Sequence, residues 1–266
     1  CALSINHQYF ENPRIYSKSY DLMNGAYLGP YFSDKEIQIM NRSNKAVASS
    51  YKHFDKLSSN VAKLISQGNV IGWFQGRSEF GPRALGNRSI LADPRNSEMQ
   101  KKLNLKIKYR EGFRPFAPSV IEEDYTKYFE KDIISPYMLM VKNINNDIKL
   151  KIPNNYNELN YWEKLYTKRS SLQAITHVDF SARIQTVSKD TNPKYWNLLN
   201  DFKKITGISV LVNTSFNVRG EPIVNSPEDA FNCFMNTEMD YLVIENYLYS
   251  KKEQTIRNIK KEYEKD

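Results

Sequence analysis

Three arginines fall within twelve residues in the string RSEFGPRALGNRS, positions 77–89. Arg77, Arg83 and Arg88 alternate there with Gly81, Pro82 and Gly86. A guanidinium presents a planar fork of donors that matches phosphate or carboxylate oxygens. Glycines let a backbone approach a ligand closely. The apolar run 70–74 that precedes the string reads as a buried strand. A loop of this kind at a strand end is suited to holding an anion. The competing explanation is a solvated basic loop, and this segment alone does not choose between the two.

Two further strings tip the balance. In KIKYREGFRPFAP, positions 106–118, Lys106, Lys108, Arg110 and Arg114 place four cations in nine residues. Phe113 and Phe116 flank Arg114, and Pro115 and Pro118 stiffen the chain after it. Tyr109 is a candidate wall for a planar group, since bases stack on aromatic faces. A merely solvated charge run has no need of such shaping. In VLVNTSFNVRGEP, positions 210–222, an apolar strand runs into Asn213, Thr214, Ser215 and Asn217, followed by Arg219. Short polar side chains at a strand end often form only a turn; beside an arginine they are also placed to orient a phosphate. A weaker fourth string, HVDFSARIQTV at 177–187, alternates from Phe180 as a half-buried strand would, with Ser181, Arg183 and Gln185 on one face.

The strings EFGPRALGNRSILADPR, KYREGFRPFAPSV, HVDFSARIQTV and LVNTSFNVRGEPIVNSPEDA resemble the C-terminal half of the carbamoyltransferases of the nodulation-factor, cephamycin and tobramycin type. The resemblance runs from about Tyr27 to Tyr249, ungapped within each motif and in the family order. It implies an α/β (α+β) fold of the YrdC-like kind, a twisted mixed sheet flanked by helices, shared with threonylcarbamoyl-adenylate synthases. It also implies a chemistry in two stages. The YrdC-like domain takes carbamoyl phosphate and ATP, makes carbamoyl-adenylate and releases pyrophosphate. A preceding actin-like domain, holding a metal, transfers the carbamoyl group to a hydroxyl of an antibiotic, oligosaccharide or toxin.

Carried over residue by residue, the resemblance makes Arg83 a phosphate-binding arginine, and Lys108 and Arg114 cationic ligands of the phosphates. Arg183 becomes a further anion ligand, and Asn213 and Ser215 bind the carbamoyl and phosphate groups. Lys108 with Arg110, and Ser215 with Asn217, mirror the K-x-R and S-x-N pairs of the YrdC fold. The expected catalytic set is therefore Lys108, Arg114, Arg183 and Ser215. Arg83, Arg110, Asn213, Asn217 and Arg219 complete the expected binding site. The physics agrees, because two anionic reactants must meet, and fixed cations in a low-dielectric cleft offset their repulsion. Mg²⁺ is expected to accompany the ATP, with no protein ligand assignable from sequence.

The chain departs from the family at its start. In the family a CALN-like string is followed by a proline-rich strand and a D-x-G-x-x-x-G-A segment. Here CALS at 1–4 leads through 6–24 without that segment to a junction-like YLGPYFS at 27–33. The expected organisation is a remnant or linker of the actin-like domain at 1–31, a YrdC-like domain at 32–250 and a charged tail at 251–266. On this reading the acceptor pocket lies in an N-terminal partner domain outside the sequence, and Cys1 has no functional role.

The elements that must position these motifs are partly legible. Ser33 is placed to cap a helix with an acidic first turn. Leu57, Val61, Leu64 and Ile65 have helical spacing within 54–67, before Gly68. Helices are expected at 97–105, at 195–206 before Gly207, and from Ser226, with Pro227 at its first position. Strands are expected at 70–74, 117–121, 138–141 and 241–244. The polar stretch 143–169 lacks periodicity and reads as an insertion or mobile loop over the site. Glu122, Glu123 and Asp124 read as a solvated helix start, and Trp73 and Trp196 as core.

Composition bounds the function. The 266 residues carry a net charge of +8, which suits polyanionic ligands, small or nucleic. Two cysteines, Cys1 and Cys233, offer no disulfide framework. No zinc spacing or Walker loop occurs, and no run of eighteen apolar residues suggests a membrane span. Small-molecule substrates and a cytoplasmic location are expected of an ATP-consuming enzyme. His177 is as consistent with a structural role as with ligand contact. The alternatives are a YrdC-like RNA-binding module and a catalytically incomplete nucleotide-binding fragment. A nucleic-acid module spreads its cations over a face with aromatics between them. Here the arginines gather in four short motifs, which favours the small-molecule enzyme.

Overall fold

The computed structural model describes residues 1–14, 21, 23–131 and 134–255. Among them ten strands form: β1 (Ser49–Ser50), β2 (Ile71–Phe74), β3 (Arg88–Ala92), β4 (Ala117–Ile121), β5 (Val141–Asn143), β6 (Ser181–Arg183), β7 (Gln185–Val187), β8 (Val210–Ser215), β9 (Tyr241–Ile244) and β10 (Tyr247–Ser250). Eight make one mixed sheet in the order β1-β10-β9-β2-β3-β8-β4-β7, while β5 and β6 pair separately. β2 runs parallel to β9 and β4 parallel to β7; the other neighbours are antiparallel. The principal helices are α1 (Asp34–Asn44), α2 (Phe54–Ser66), α3 (Met99–Lys106), α4 (Pro193–Thr206) and α5 (Pro227–Met235). The fold is thus a mixed α/β sheet flanked by helices.

Strand alternation explains the layers. Ile71, Trp73, Leu91, Leu211 and Val243 point to one face, where Leu57, Val61 and Ile65 of α2 meet Leu198 and Phe202 of α4. Phe74, Ile90, Val212, Phe216 and Ile244 point to the other, against Met99 and Leu103 of α3 and Phe231 and Phe234 of α5. Fully burying one such side chain contributes roughly 1.5–3 kcal/mol, so both faces are strongly held. Gly72 is required in β2, because a Cβ there would lie 2.7 Å from Phe216 Cζ.

The helix ends follow the caps read from the sequence. Ser33 and Glu36 form a reciprocal capping box, as do Ser226 and Asp229, with Pro227 opening α5. Gly207 ends α4 at φ 78°.

Several expectations need correction. The expected strand at 138–141 is displaced: Met138 takes φ 55°, and the strand is β5, paired with β6. The run 181–187 is not one strand, since it breaks at Ile184 into β6 and β7, which belong to different sheets. Asp124 is buried rather than solvated, bonded to Lys127 at 2.5 Å and Lys203 at 2.7 Å. Trp196 is half-buried, its Nε1 donating to Glu123 at 3.2 Å.

The 143–169 stretch is tied down. Arg169, fully buried, donates to the carbonyls of Lys164, Leu165, Thr167 and His177. Ala26 and Tyr27, within the supposed linker, pack on Leu85 and Ala117, and Tyr27 Oη donates to the Leu85 carbonyl at 2.8 Å. Of the charged tail, Gln254 is buried and bonded to Val47; residues 256–266 lie outside the described residues.

Candidate functional site

β8 lies between β3 and β4, and its last residues gather the motifs. Asn213 and Ser215 are two positions apart on one strand, roughly 7 Å of rise, so their side chains share a face. Each organises a separate group of cations.

At Ser215 the group is built on Lys108, which follows α3. Its ammonium donates to the Ser215 carbonyl (2.5 Å) and Oγ (3.1 Å), and to the Asn217 carbonyl (3.0 Å) and Oδ1 (2.7 Å). Ser215 Oγ in turn donates to Asn217 Oδ1 at 2.7 Å. Lys108 of the K-x-R pair is therefore joined directly to both members of the S-x-N pair. Burial first, then the charge of Arg110, push the Lys108 ammonium down to about 7. Arg110 stands over the Phe116 ring at 5.1 Å, and its Nε donates to Asn104 Oδ1 at 2.7 Å. Burial and then Arg114 push it down to about 10. Arg114, exposed, pairs with Glu111 at 2.8 Å.

Tyr109 is not the free aromatic wall the sequence suggested. It adopts φ 48°, uncommon for a residue of its size. Its ring packs on the core and its hydroxyl donates to the Asn236 carbonyl at 3.2 Å. The turn this creates separates Lys108 from Arg110.

At Asn213 the second group is Arg83 with Arg183. Asn213 Nδ2 donates to the Ala84 carbonyl (3.1 Å) and to Gln185 Oε1 (2.9 Å). Gln185 Nε2 donates to the Leu85 carbonyl at 2.7 Å, and Ser119 Oγ donates to Gln185 Oε1 at 2.6 Å. These bonds pin the Arg83 loop over the strands. The field of Arg83, after burial, lowers the pKa of Arg183. Arg183 directs Nη2 to Met138 Sδ at 3.8 Å. Among the described residues no carboxylate pairs with either arginine. Asn213 Oδ1, fully buried, finds no partner among the described residues.

Arg219 is exposed, two residues beyond Asn217. Arg88 belongs to the scaffold: fully buried over the Phe74 ring at 3.5 Å, it donates to the carbonyls of Gln75, Asn87, Gly76 and Pro30. His177 is half-buried, its pKa lowered chiefly by burial. Its Nδ1 lies 3.2 Å from Ser181 Oγ, which donates to Asp179 Oδ1 at 2.7 Å. With its proton on Asp179, Ser181 is not an activated nucleophile.

Sequence reasoning missed two positioning residues, Asn104 and Glu79, and the bridging role of a third, Gln185, which it had placed only on a strand face. Asn104 holds Arg110 through Oδ1 and the Gly112 and Arg114 carbonyls through Nδ2. Glu79 Oε1 accepts from the backbone N–H groups of Leu85, Asn87 and Arg88 and so shapes the arginine loop. Gln185 bridges Asn213 to that loop. A lone acid among three arginines was a usable signal for Glu79, and the shared strand face with Arg183 was one for Gln185; Asn104 gave none.

Comparison with known proteins extends this picture. The chain is 55% identical over 258 residues to an uncharacterized protein of Synechocystis, covering 96% of this chain and 42% of the relative. It is 46% identical over 202 residues to the nodulation protein NolNO of Sinorhizobium fredii, covering 74% of this chain and 27% of the relative. It is 40% identical over 175 residues to the 3'-hydroxymethylcephem-O-carbamoyltransferase of Amycolatopsis lactamdurans, covering 66% of this chain and 28% of the relative. The chain thus spans less than half the length of each of these relatives. Among solved structures, full-length HypF in its phosphate- and nucleotide-bound form aligns with TM-score 0.45 and 16% identity, over 74% of this chain and 22% of that one. The profile of the carbamoyltransferase C-terminus matches residues 62–251, which contain both cation groups and all of β8, and by that match the chain belongs to the carbamoyltransferase C-terminus family.

Proposed function

We propose that this chain makes carbamoyl-adenylate from carbamoyl phosphate and ATP, the activating stage of transfer of a carbamoyl group to a hydroxyl. The observation that carries the reading is that two side chains on one face of β8 hold the cationic motifs, Ser215 bonding Lys108 directly and Asn213 tying down the loop that carries Arg83. One group, Arg83 with Arg183, has no acidic partner among the described residues. The other holds a buried ammonium against Ser215 and Asn217. Spread-out cations with interleaved aromatics would instead favour nucleic acid; cations gathered in short motifs favour compact polyanions.

The reaction balances in two steps. Water cleaves carbamoyl phosphate to carbamate and inorganic phosphate. A carbamate oxygen then attacks the α-phosphorus of ATP, and pyrophosphate leaves. Such chemistry asks for positioning and charge stabilisation rather than a protein nucleophile. Arg83 and Arg183 hold phosphate oxygens in forked geometry. Lys108 and Arg110, with Arg114, oppose the charge that builds at the second phosphate site. Asn213 Oδ1 leaves an acceptor for a carbamoyl N–H. Mg²⁺, when bound, neutralises phosphate charge. Among the described residues no group of three or more His, Cys, Asp or Glu side chains is placed to hold a metal ion, and the ATP phosphates and water would supply most of its ligands.

The acceptor and the transfer step belong, on this reading, to a further N-terminal domain such as the longer relatives have room for. No helix among the described residues is long and apolar enough to cross a membrane. Calorimetry tests the site: ATP and carbamoyl phosphate should each bind, more weakly as salt rises. No heat from either ligand at millimolar concentration would refute the assignment.

A further inference from the structure

The loop that carries Lys108, Arg110 and Arg114 hangs from α3 by two amides one helical turn apart. Asn104, fully buried, donates Nδ2 to the carbonyls of Gly112 (3.2 Å) and Arg114 (2.9 Å), and its Oδ1 accepts from Arg110 Nε (2.7 Å). Its backbone carbonyl accepts from the Arg110 N–H at 3.0 Å. Gln100, four residues earlier and so on the same helix face, donates Nε2 to the Phe113 and Arg114 carbonyls, both at 3.2 Å. We propose that Asn104 is a positioning residue whose neutral oxygen holds Arg110 in place without cancelling its charge, leaving that charge to act on a bound polyanion and on Lys108. The inference rests on the cation site proposed above and names what keeps that site cationic.

An amide partner differs from a carboxylate here in one respect, its charge. Arg110 bonds to no carboxylate among the described residues; its side chain meets the Asn104 amide and the face of the Phe116 ring. Arg114, in the same loop, shows the alternative: it is exposed and paired with Glu111 at 2.8 Å. An aspartate at 104 could make the same bond to Nε, stronger because both partners would be charged, and would neutralise the guanidinium. The asparagine fixes Nε and leaves Nη1 and Nη2 unbonded among the described residues. Keeping an unneutralised guanidinium partly out of water is unfavourable by itself. A fixed cation of this kind is what a site for a polyanion requires.

Few charges face Lys108. After burial, Arg110 from its own loop lowers it, and Cys233 of α5 is the other titratable neighbour. Burial pushes that thiol up to about 12, so it stays neutral around pH 7. Ser215 and Asn217 hold the ammonium without titrating. Glu111 and Arg114 act on Arg110 with opposite signs. A negative charge at 104 should therefore offset Arg110 and make Lys108 less acidic, whereas loss of the amide alone should not.

Calorimetric titration of inorganic sulfate at pH 6.5, 7.5 and 8.5 on the chain and on Asn104→Asp, Asn104→Ala and Gln100→Ala tests this, with circular dichroism to show that each variant folds. In the native chain affinity should fall about 25-fold across the window, as the Lys108 ammonium titrates at about 7. Asn104→Asp should make that ammonium about ten times less acidic and so reduce the fall to about fourfold. Asn104→Ala should keep the full fall but weaken sulfate at every pH by about tenfold, the size of one hydrogen bond to a charged group. Gln100→Ala loosens the same loop without touching Arg110 and should weaken sulfate far less. An unchanged fall in Asn104→Asp, or equal losses in the two alanine variants, would make Asn104 a merely structural amide and overturn the inference. If the aspartate variant does not fold, the alanine comparison decides. A native affinity that does not change with pH would instead refute the reading of Lys108 on which the inference rests.

Discussion

Replacing Lys108 by Met probes the ammonium at the heart of the Ser215 group. Burial and Arg110 push this group down to about 7, so the free protein is poised near neutrality. An anion recruits the charged form. The sign follows: anion affinity is fully present below pH 7 and is lost as pH rises through that value. The protonated fraction falls from about 0.76 at pH 6.5 to about 0.03 at pH 8.5, so affinity should fall roughly 25-fold, or about 1.9 kcal/mol. Sulfate is the appropriate probe because it stays a dianion throughout. His177, lowered below 6.5, titrates on the acid side of the window. Calorimetric titration of sulfate at pH 6.5, 7.5 and 8.5 should show the fall in the native chain. In Lys108→Met, affinity should be low and nearly flat. A native affinity that changes less than twofold, or an equal fall in the Met variant, would refute the reasoning.

Three other outcomes are expected. Arg183→Ala should remove about 2–4 kcal/mol of transition-state stabilisation, as loss of a preorganised donor does, and Arg183→Lys should restore only part because the fork is gone; kcat/KM for pyrophosphate release reads both, and full rescue by Lys would count against bidentate contact. Arg88→Leu should destabilise the fold by about 2–4 kcal/mol in urea unfolding, because it removes the donor that serves four carbonyls, those of Gln75 and Asn87 buried and those of Gly76 and Pro30 partly so; an unchanged midpoint would show that these bonds do not hold the sheet. Gly86→Ala should cost about 1–3 kcal/mol, since φ is 105° and the new Cβ would lie 2.1 Å from the Tyr195 ring; native-like thermal unfolding would contradict that packing.

The mixed α/β fold and the caps of its helices were legible in the sequence, and the strings that carry the candidate site stood out with them. Lys108, Ser215 and Asn217 were singled out from short strings, and the structure brings these three together because helix α3 ends beside the end of β8, while Arg110 turns away to Asn104. Arg83 and Arg183 meet for a reason the sequence hides, namely the Asn213 and Gln185 amides that tie one loop to two strands. β3 escaped notice because Arg88 reads as a loop cation, whereas its charge is satisfied by carbonyls under the Phe74 ring. The break at Ile184 was invisible because period-two alternation continues across it while the strand changes sheets. Tyr109 was misplaced because nothing in its neighbours signals a positive φ. The cleft lined by Phe113, Tyr161, Leu165 and His177 could not be read at all, since its walls come from separate segments, two of which the buried Arg169 ties together.

Exchange of labelled pyrophosphate into ATP, catalysed by this chain and dependent on carbamoyl phosphate, tests the central claim most directly. It requires ATP, carbamoyl phosphate and the two cation groups to act together, and it needs no acceptor. The account predicts exchange that vanishes when carbamoyl phosphate is omitted and in Arg83→Ala and Lys108→Met. Exchange that proceeds equally without carbamoyl phosphate, or none at all in a chain that binds both ligands, would contradict it.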